Sequence, residues 1–280
     1  MALDPRTTPA RPDLAAAHLR GRVAALRFVE GIEQEVIVGQ APLRAEPTHG
    51  APLLTEALHG ERLTIYESNE EGWAWGQLAQ DRYVGWLPAA ALLAPGPEPT
   101  HRVVALRTFI FPGPSIKLPP LDALPFGARV AAARIGSDFA ILPAGGHVPL
   151  RHLAPLSSCE TDHVAVAERF VGTPYLWGGK TSLGLDCSGL VQVALSACGI
   201  SCPRDSDMQE SALGTPVPLS ELRRGDLVFW KGHVAIARNA HSLIHANAFH
   251  MAVAIEPLTE AIARIRETGS EVTGVRRLSG

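Results

Sequence analysis

The 280-residue chain has no apolar run approaching the roughly 20 residues that a membrane-crossing helix needs. Its start, Met1 to Asp13, carries Asp4, Pro5, Pro9 and Pro12 where an export signal needs an unbroken apolar stretch. The longest early apolar run, Leu14 to Ala17, is too short to cross a bilayer or direct export, so a cytoplasmic location without a membrane partner is expected. Charge of one sign is also lacking. The formal net charge is −3, from 25 Lys and Arg against 28 Asp and Glu, which removes the electrostatic case for a nucleic-acid partner. Cysteine is scarce. Cys159, Cys187, Cys198 and Cys202 do not make a disulfide framework in a chain of this length. Cys198 and Cys202 are half a metal site at most; one falls on a helical run that starts at Cys187, the other just past its end near Gly199. No metal and no cofactor are expected, and a monomer is expected.

What is present is core-forming material, 46% of the residues, in a length that suits about two domains. Residues 1–20, rich in Pro, Arg and Ala, read as a poorly ordered lead-in. Residues 21–95 alternate short β runs with turn residues: Gln34 to Val38, Arg62 to Tyr66, Trp73 to Leu78 and Tyr83 to Leu87. That pattern fits a small barrel, with Trp73, Trp75 and Trp86 in its core or rim or stacking on a ligand. Pro95-Gly96-Pro97-Glu98-Pro99 is a stiff joint. Residues 98–157 form a second short-strand region. Both regions close on similar elements, Gly85-Trp86-Leu87-Pro88 and Gly146-His147-Val148-Pro149, and are read as two copies of one barrel type. The character changes over 158–280. Val164 to Val171 and Cys187 to Ala197 have helical spacing, Leu258 to Glu267 reads as a final helix, and Asp226 to Trp230, His233 to Ala237 and Leu243 to Ala246 read as strands. A helix packed on an antiparallel sheet gives an α+β domain.

Cys187 sits where a glycine-rich loop (Gly178, Gly179, Gly184) gives way to the apolar helix. Asp186 reads as the N-cap and Cys187 as the first helical residue. A thiol at the positive end of a helix dipole is expected to have a lowered pKa and to favour thiolate. His233 begins one strand and His245 ends the next, so folding the hairpin sets them at nearly opposite positions. Nucleophile, base and orienting group are thus on offer for thiol-dependent acyl transfer, with the backbone N–H groups of Cys187 and Ser188 as oxyanion donors. A zinc site from the same three side chains lacks an evident fourth ligand.

Three blocks resemble the NlpC/P60 cysteine peptidases, which cleave bacterial cell-wall peptides. They are Gly172-Thr173-Pro174-Tyr175-Leu176-Trp177-Gly178-Gly179 with Asp186-Cys187-Ser188-Gly189-Leu190-Val191, Arg224-Gly225-Asp226-Leu227-Val228-Phe229-Trp230 with His233-Val234-Ala235-Ile236, and Leu243-Ile244-His245-Ala246. Upstream, Leu58-His59-Gly60-Glu61-Arg62-Leu63 and Tyr83-Val84-Gly85-Trp86-Leu87 resemble the first bacterial SH3-like domain of the γ-D-glutamyl-L-diamino acid peptidases, and Pro112 to Pro120 the start of their second. The resemblance implies two small all-β SH3-like barrels before a papain-like α+β catalytic domain. It implies catalysis by Cys187, His233 and His245, with Tyr175 as a further oxyanion donor. It implies a murein peptide substrate, L-Ala-γ-D-Glu-diamino acid, with a free N-terminal amine held by Asp186, Glu61 and Tyr83 and a hydrogen bond from Ser188. The expected reaction is hydrolysis of the γ-D-glutamyl bond in freed stem peptides during wall recycling. Another thiol amidase or acyltransferase on the same fold, and an inactive wall-peptide binder, are the alternatives.

Overall fold

The computed structural model describes residues 3–278 and divides the chain into two compact units, Met1–Ser157 and Ser158–Gly280. In the first unit, a seven-stranded antiparallel sheet runs in the order Leu53–Leu58, Gln40–Arg44, Val84–Pro88, Trp73–Leu78, Arg62–Ser68, Ile32–Val36, Leu92–Leu93. Strand side chains alternate between two faces. Along Trp73–Leu78, Ala74 and Leu78 enter the core with Leu43, Leu63, Tyr83 and Leu87, while Trp73 and Trp75 face the other way beside Val84 and Trp86.

That second, tryptophan-rich face is not left open, and it overturns the expectation of a loose lead-in. Leu14 is buried on it. Leu14–Ala16 pairs in parallel with Arg27–Val29, and the Arg6 carbonyl accepts the Val84 N–H at 2.8 Å. The Arg11 guanidinium lies 4.4 Å from the Trp75 ring centroid and 4.9 Å from that of Trp86, and it is paired with Glu67. A three-tryptophan face exposed to water would forfeit the hydrophobic stabilisation that this segment recovers. The tryptophans are therefore covered by the chain's own N-terminal segment.

Residues 98–157 hold shorter pairings. His101–Val103 lies between Arg129–Val130 and Leu153–Pro155, Arg107–Ile110 pairs with Asp122–Pro125, and Phe139–Ile141 lies between Arg134–Ile135 and His147–Pro149. Their core, with Val103, Leu124, Ala140 and Val148, also takes in Leu58 from the larger sheet. His59 exchanges with Arg129, its carbonyl accepting the Arg129 N–H at 2.8 Å and its Nδ1 lying 2.9 Å from the Arg129 carbonyl.

The second unit has helices α1 (His163–Glu168), α2 (Cys187–Ala197), α3 (Ser206–Ala212) and α4 (Leu258–Glu267). Its six-stranded antiparallel sheet runs Thr215–Pro216, Val272–Arg277, Leu227–Trp230, His233–Asn239, Ser242–Asn247, Ala252–Pro257. Thr215–Pro216, Val272–Arg277 and Ala252–Pro257 add to the three strands read from sequence. Helix α2 is apolar almost all round and packs on the His233–Asn239 and Ser242–Asn247 strands, as a core helix does. It stops where Gly199 takes φ +75°, the left-handed conformation that suits glycine after a helix end. Ala261 and Ile265 of α4 join Trp230, Ala235, Ala237 and Leu243 in a core beside the sheet.

Candidate active site

The start of α2 is built by close backbone packing. A Cβ on Gly189 would come within 2.3 Å of the Gly179 carbonyl, and one on Gly179 within 2.4 Å of the Gly184 carbonyl. The glycine loop therefore presses directly on the first turn of the helix. Asp186 caps that turn, accepting the Gly189 N–H at 2.7 Å and the Gly178 N–H at 2.8 Å. The Ser188 hydroxyl donates to the same carboxylate at 3.3 Å.

Asp186 also meets a residue that sequence reasoning missed. Arg204, wholly buried, grips it with two N–H groups, at 2.9 Å to Oδ1 and 2.7 Å to Oδ2. The same guanidinium donates to the Ser188 hydroxyl at 2.9 Å, and Gln209 donates to the Ser188 carbonyl at 3.0 Å. Such a planar fork matches a carboxylate and leaves its charge compensated. Asp186 and Ser188, expected to meet a substrate amine, thus form a brace under the nucleophile.

Cys187 is 7% exposed, and its sulfur accepts from the backbone N–H groups of Val234 and Ser188. Its thiol does not sit low in pKa as the helix dipole led us to expect. Burial, joined by the negative charge of Asp186, pushes it up to about 12. Tyr175, half-buried after Pro174, is within electrostatic reach of Cys187 and Asp186. Its phenol is pushed up to about 12, chiefly by burial, so it stays a hydrogen-bond donor.

The base half comes from the sheet. Ile236 registers with Ile244, and carrying that antiparallel register on sets His233 diagonal to His245 rather than opposite it. His233 Nε2 lies 2.9 Å from His245 Nδ1, with ring centroids 5.1 Å apart. Trp230, the cross-strand partner of His233, has its ring centroid 5.7 Å away. Burial lowers His233 to about 3 and lowers His245 as well, so both imidazoles are neutral at ordinary pH. Together with the raised thiol, this gives a resting site of thiol and imidazole rather than a preformed ion pair.

The polar chain continues past His245. Its Nε2 lies 2.9 Å from Glu256 Oε2, and Arg264 of α4 grips Glu256 at 3.0 and 2.7 Å. Glu256 is 5% exposed, and hydrogen bonds from His245 and Arg264 overcome its burial and hold it ionised down to about 2. Glu256 was missed in the sequence because the Ala252–Pro257 strand was, and Arg264, on a helix that was read, because its partner was not known. The available signal was a lone Glu on the strand that follows the second histidine.

Glu61 and Tyr83 belong to the first unit. The Glu61 carboxylate accepts the Leu58 N–H of its own turn at 3.2 Å, and Tyr83 lies in the core of the seven-stranded sheet. Among the described residues, no group of three or more His, Cys, Asp and Glu is placed to hold a metal ion, and no helix is long and apolar enough to cross a membrane.

Comparisons with known proteins agree with this chemistry. Residues 172–270 match the model of the NlpC/P60 family, and residues 43–92 that of the bacterial dipeptidyl-peptidase SH3 domain. The chain is 27% identical over 250 residues to dipeptidyl-peptidase 6 of Lysinibacillus sphaericus, covering 80% of this chain and 91% of that protein. It is 36% identical over 124 residues to the γ-D-glutamyl-L-lysine dipeptidyl-peptidase of Bacillus subtilis, but this spans only 41% of the chain and 40% of that relative. A crystal structure of an NlpC/P60 family protein from Bacillus cereus shares the fold, with a TM-score of 0.75 at 22% identity over 88% of this chain and 99% of that one. The chain carries a cysteine peptidase domain of the NlpC/P60 family, preceded by an SH3 domain of the bacterial dipeptidyl-peptidase type.

Proposed function

We propose that the protein hydrolyses the γ-D-glutamyl–diamino acid bond of free murein stem peptides that begin with an unblocked L-Ala. The observation that carries the proposal is the pairing of His233 with His245 on the strand whose Val234 N–H reaches the Cys187 sulfur. In this reading Cys187 attacks the γ-carbonyl and passes its proton to His233. His233 then protonates the leaving amine, and water resolves the thioester. The backbone N–H groups at the start of α2 and the Tyr175 hydroxyl serve the oxyanion, each such donor being worth about 3 kcal/mol of barrier. The name of the Bacillus subtilis relative, a γ-D-glutamyl-L-lysine dipeptidyl-peptidase, supports the bond class, and that of the Lysinibacillus relative a dipeptidyl-peptidase activity.

Because Arg204 already compensates Asp186, Asp186 and Ser188 in this proposal hold the loop at the nucleophile rather than meet the substrate amine. Residues 98–157 are, on the same reading, a second SH3-like barrel, supported by their antiparallel pairings around one core. Mass spectrometry of L-Ala-γ-D-Glu-diaminopimelate beside its N-acetylated form tests the proposal. Release of L-Ala-D-Glu from the free-amine peptide alone, lost in Cys187→Ala, is the expected result. Equal cleavage of both forms removes the amine requirement, and cleavage of neither removes the proposed substrate.

A further inference from the structure

We infer that Glu256 is a positioning residue that sets the proton order of the site, committing both imidazoles to the tautomer in which His233 Nδ1 holds the free lone pair for the thiol proton. The inference rests on the reading of Cys187, His233 and His245 as nucleophile, base and orienting group. A neutral imidazole has one N–H and one bare nitrogen, and which is which follows from its partners. The fixed end of this chain is the carboxylate. An ionised carboxylate only accepts, so His245 donates from Nε2 across the 2.9 Å contact. His245 Nδ1 is then bare. His233 Nε2, 2.9 Å from it, must donate to it, which leaves His233 Nδ1 bare. That is the nitrogen left for the thiol, and the proton moves from Cys187 Sγ to His233 Nδ1.

Without an acceptor at the far end the order loses its anchor. His245 is then free to carry its proton on Nδ1 and donate to His233 Nε2. A neutral His233 in that arrangement carries its own proton on Nδ1 and has no lone pair for the thiol. Arg264 fixes the carboxylate from the other side, and its guanidinium carbon lies 4.5 Å from the Phe249 ring centroid. Glu256 sits opposite Leu243 in the ladder, and His245 opposite Ala254, so the carboxylate lies diagonal to the imidazole. It also supplies the negative charge that offsets the imidazolium formed when the thiol proton arrives.

The rival account is that Glu256 merely ties α4 to the edge strand through Arg264. Four proteins separate the two: full-length wild type, Arg264→Leu, Glu256→Gln, and Glu256→Ala combined with Arg264→Leu so that the half-buried guanidinium is not left unpaired. Long-range ¹H–¹⁵N spectra, with signals assigned through His→Asn variants, read the tautomers directly. Wild type and Arg264→Leu should show Nε2–H for both His233 and His245. The double variant should lose that single pattern at His245, and its kcat should fall on the order of 10- to 100-fold below that of Arg264→Leu, with KM changed less than about two-fold. Glu256→Gln, whose amide oxygen still accepts, should lie between. A double variant that keeps His245 as Nε2–H, or that matches Arg264→Leu in kcat, overturns the inference. If wild type cleaves no stem peptide, the proposed function fails, and the tautomer spectra alone decide the role of Glu256.

Discussion

Arg204→Met tests the brace under the nucleophile. The substitution removes both guanidinium bonds to Asp186 and the bond to the Ser188 hydroxyl. Asp186 keeps the Gly178 and Gly189 N–H groups and the Ser188 hydroxyl, but its charge stays buried without a cation. Breaking one side of a buried ion pair costs about 3–5 kcal/mol, and the three remaining donors place this case near about 3. All four cysteines lie in the second unit, so pulsed alkylation along a urea series reads this unit's unfolding alone, with buried Cys202 as the reporter. With a urea slope of about 1.5 kcal/mol/M, the midpoint should fall by about 2 M. Asp186→Asn added to Arg204→Met should then cost less than it does in the wild type, because the uncompensated charge goes with it. A midpoint shift under about 0.5 M, or equal costs of Asp186→Asn in the two backgrounds, refutes the brace.

Alkylation of Cys187 by iodoacetamide, followed by peptide mass mapping, should rise about ten-fold per pH unit from pH 6 to 9, because its thiol is pushed up to about 12. A rate already flat across that range would mean a preformed thiolate. The second unit should lose stability as pH falls below 6.5. His233, lowered to about 3, is held neutral when folded but takes up a proton when unfolded, so the unfolded state binds more protons and this group alone contributes about 1.4 kcal/mol per pH unit; His245, lowered by burial in the same direction, adds to the loss. Glu256 adds a second acid loss. Its pKa is lowered from 4.5 to about 2, so its stabilisation is complete above about 4.5 and disappears as pH falls through about 2; urea midpoints of wild type and Glu256→Gln from pH 8 to 3 check both signs. Leu14→Ala should cost the first unit about 2–4 kcal/mol and red-shift tryptophan emission, because Leu14 covers Trp73, Trp75 and Trp86; unchanged stability and emission would mean the lead-in is not part of that core.

Some of this was open to reading in the sequence and some was not, for reasons particular residues make plain. Asp186 as a cap, α2 and its glycine loop are local features, and local chemistry writes them into adjacent residues. The histidine strands also carry short apolar runs bounded by polar or turn residues. The strand Ala252–Pro257 does not, because it joins small alanines to Glu256 and ends in proline, and Val272–Arg277 contains Gly274 and two arginines. Arg204 and Glu256 went with such regions, and Arg264 was passed over on a helix that was read, since a single charged residue signals burial only once its partner is known. The thiol shows the same limit. A helix N-terminus is visible in sequence, but the depth at which the thiol is buried is not, and here burial decides the sign. The lead-in was misread because Leu14–Ala16 is too short to announce a strand, and nothing upstream reveals a second apolar face formed by tryptophans far along the chain.

The two halves of the candidate site are held by the same device. Asp186 sits beneath the nucleophile and is gripped by Arg204; Glu256 sits behind the histidines and is gripped by Arg264. Each arginine holds its carboxylate through two N–H groups, which fixes a plane as well as a distance. The consequence differs on the two sides. At Asp186 the carboxylate spends its oxygens on backbone and side-chain donors of the α2 turn, so it fixes where the sulfur lies and has little charge to offer a ligand. At Glu256 one oxygen remains shared with His245, so the fixed carboxylate reaches the reacting atoms through two hydrogen bonds in series. A neutral resting site needs both. With thiol and imidazole uncharged, nothing electrostatic draws them together, and their alignment must come from the scaffold. Swapping each arginine for lysine, which keeps the charge but removes the fork, should therefore cut kcat in both cases while leaving net charge untouched. If Arg204→Lys and Arg264→Lys both retain full kcat in the stem-peptide assay, charge alone suffices and alignment by the fork is refuted.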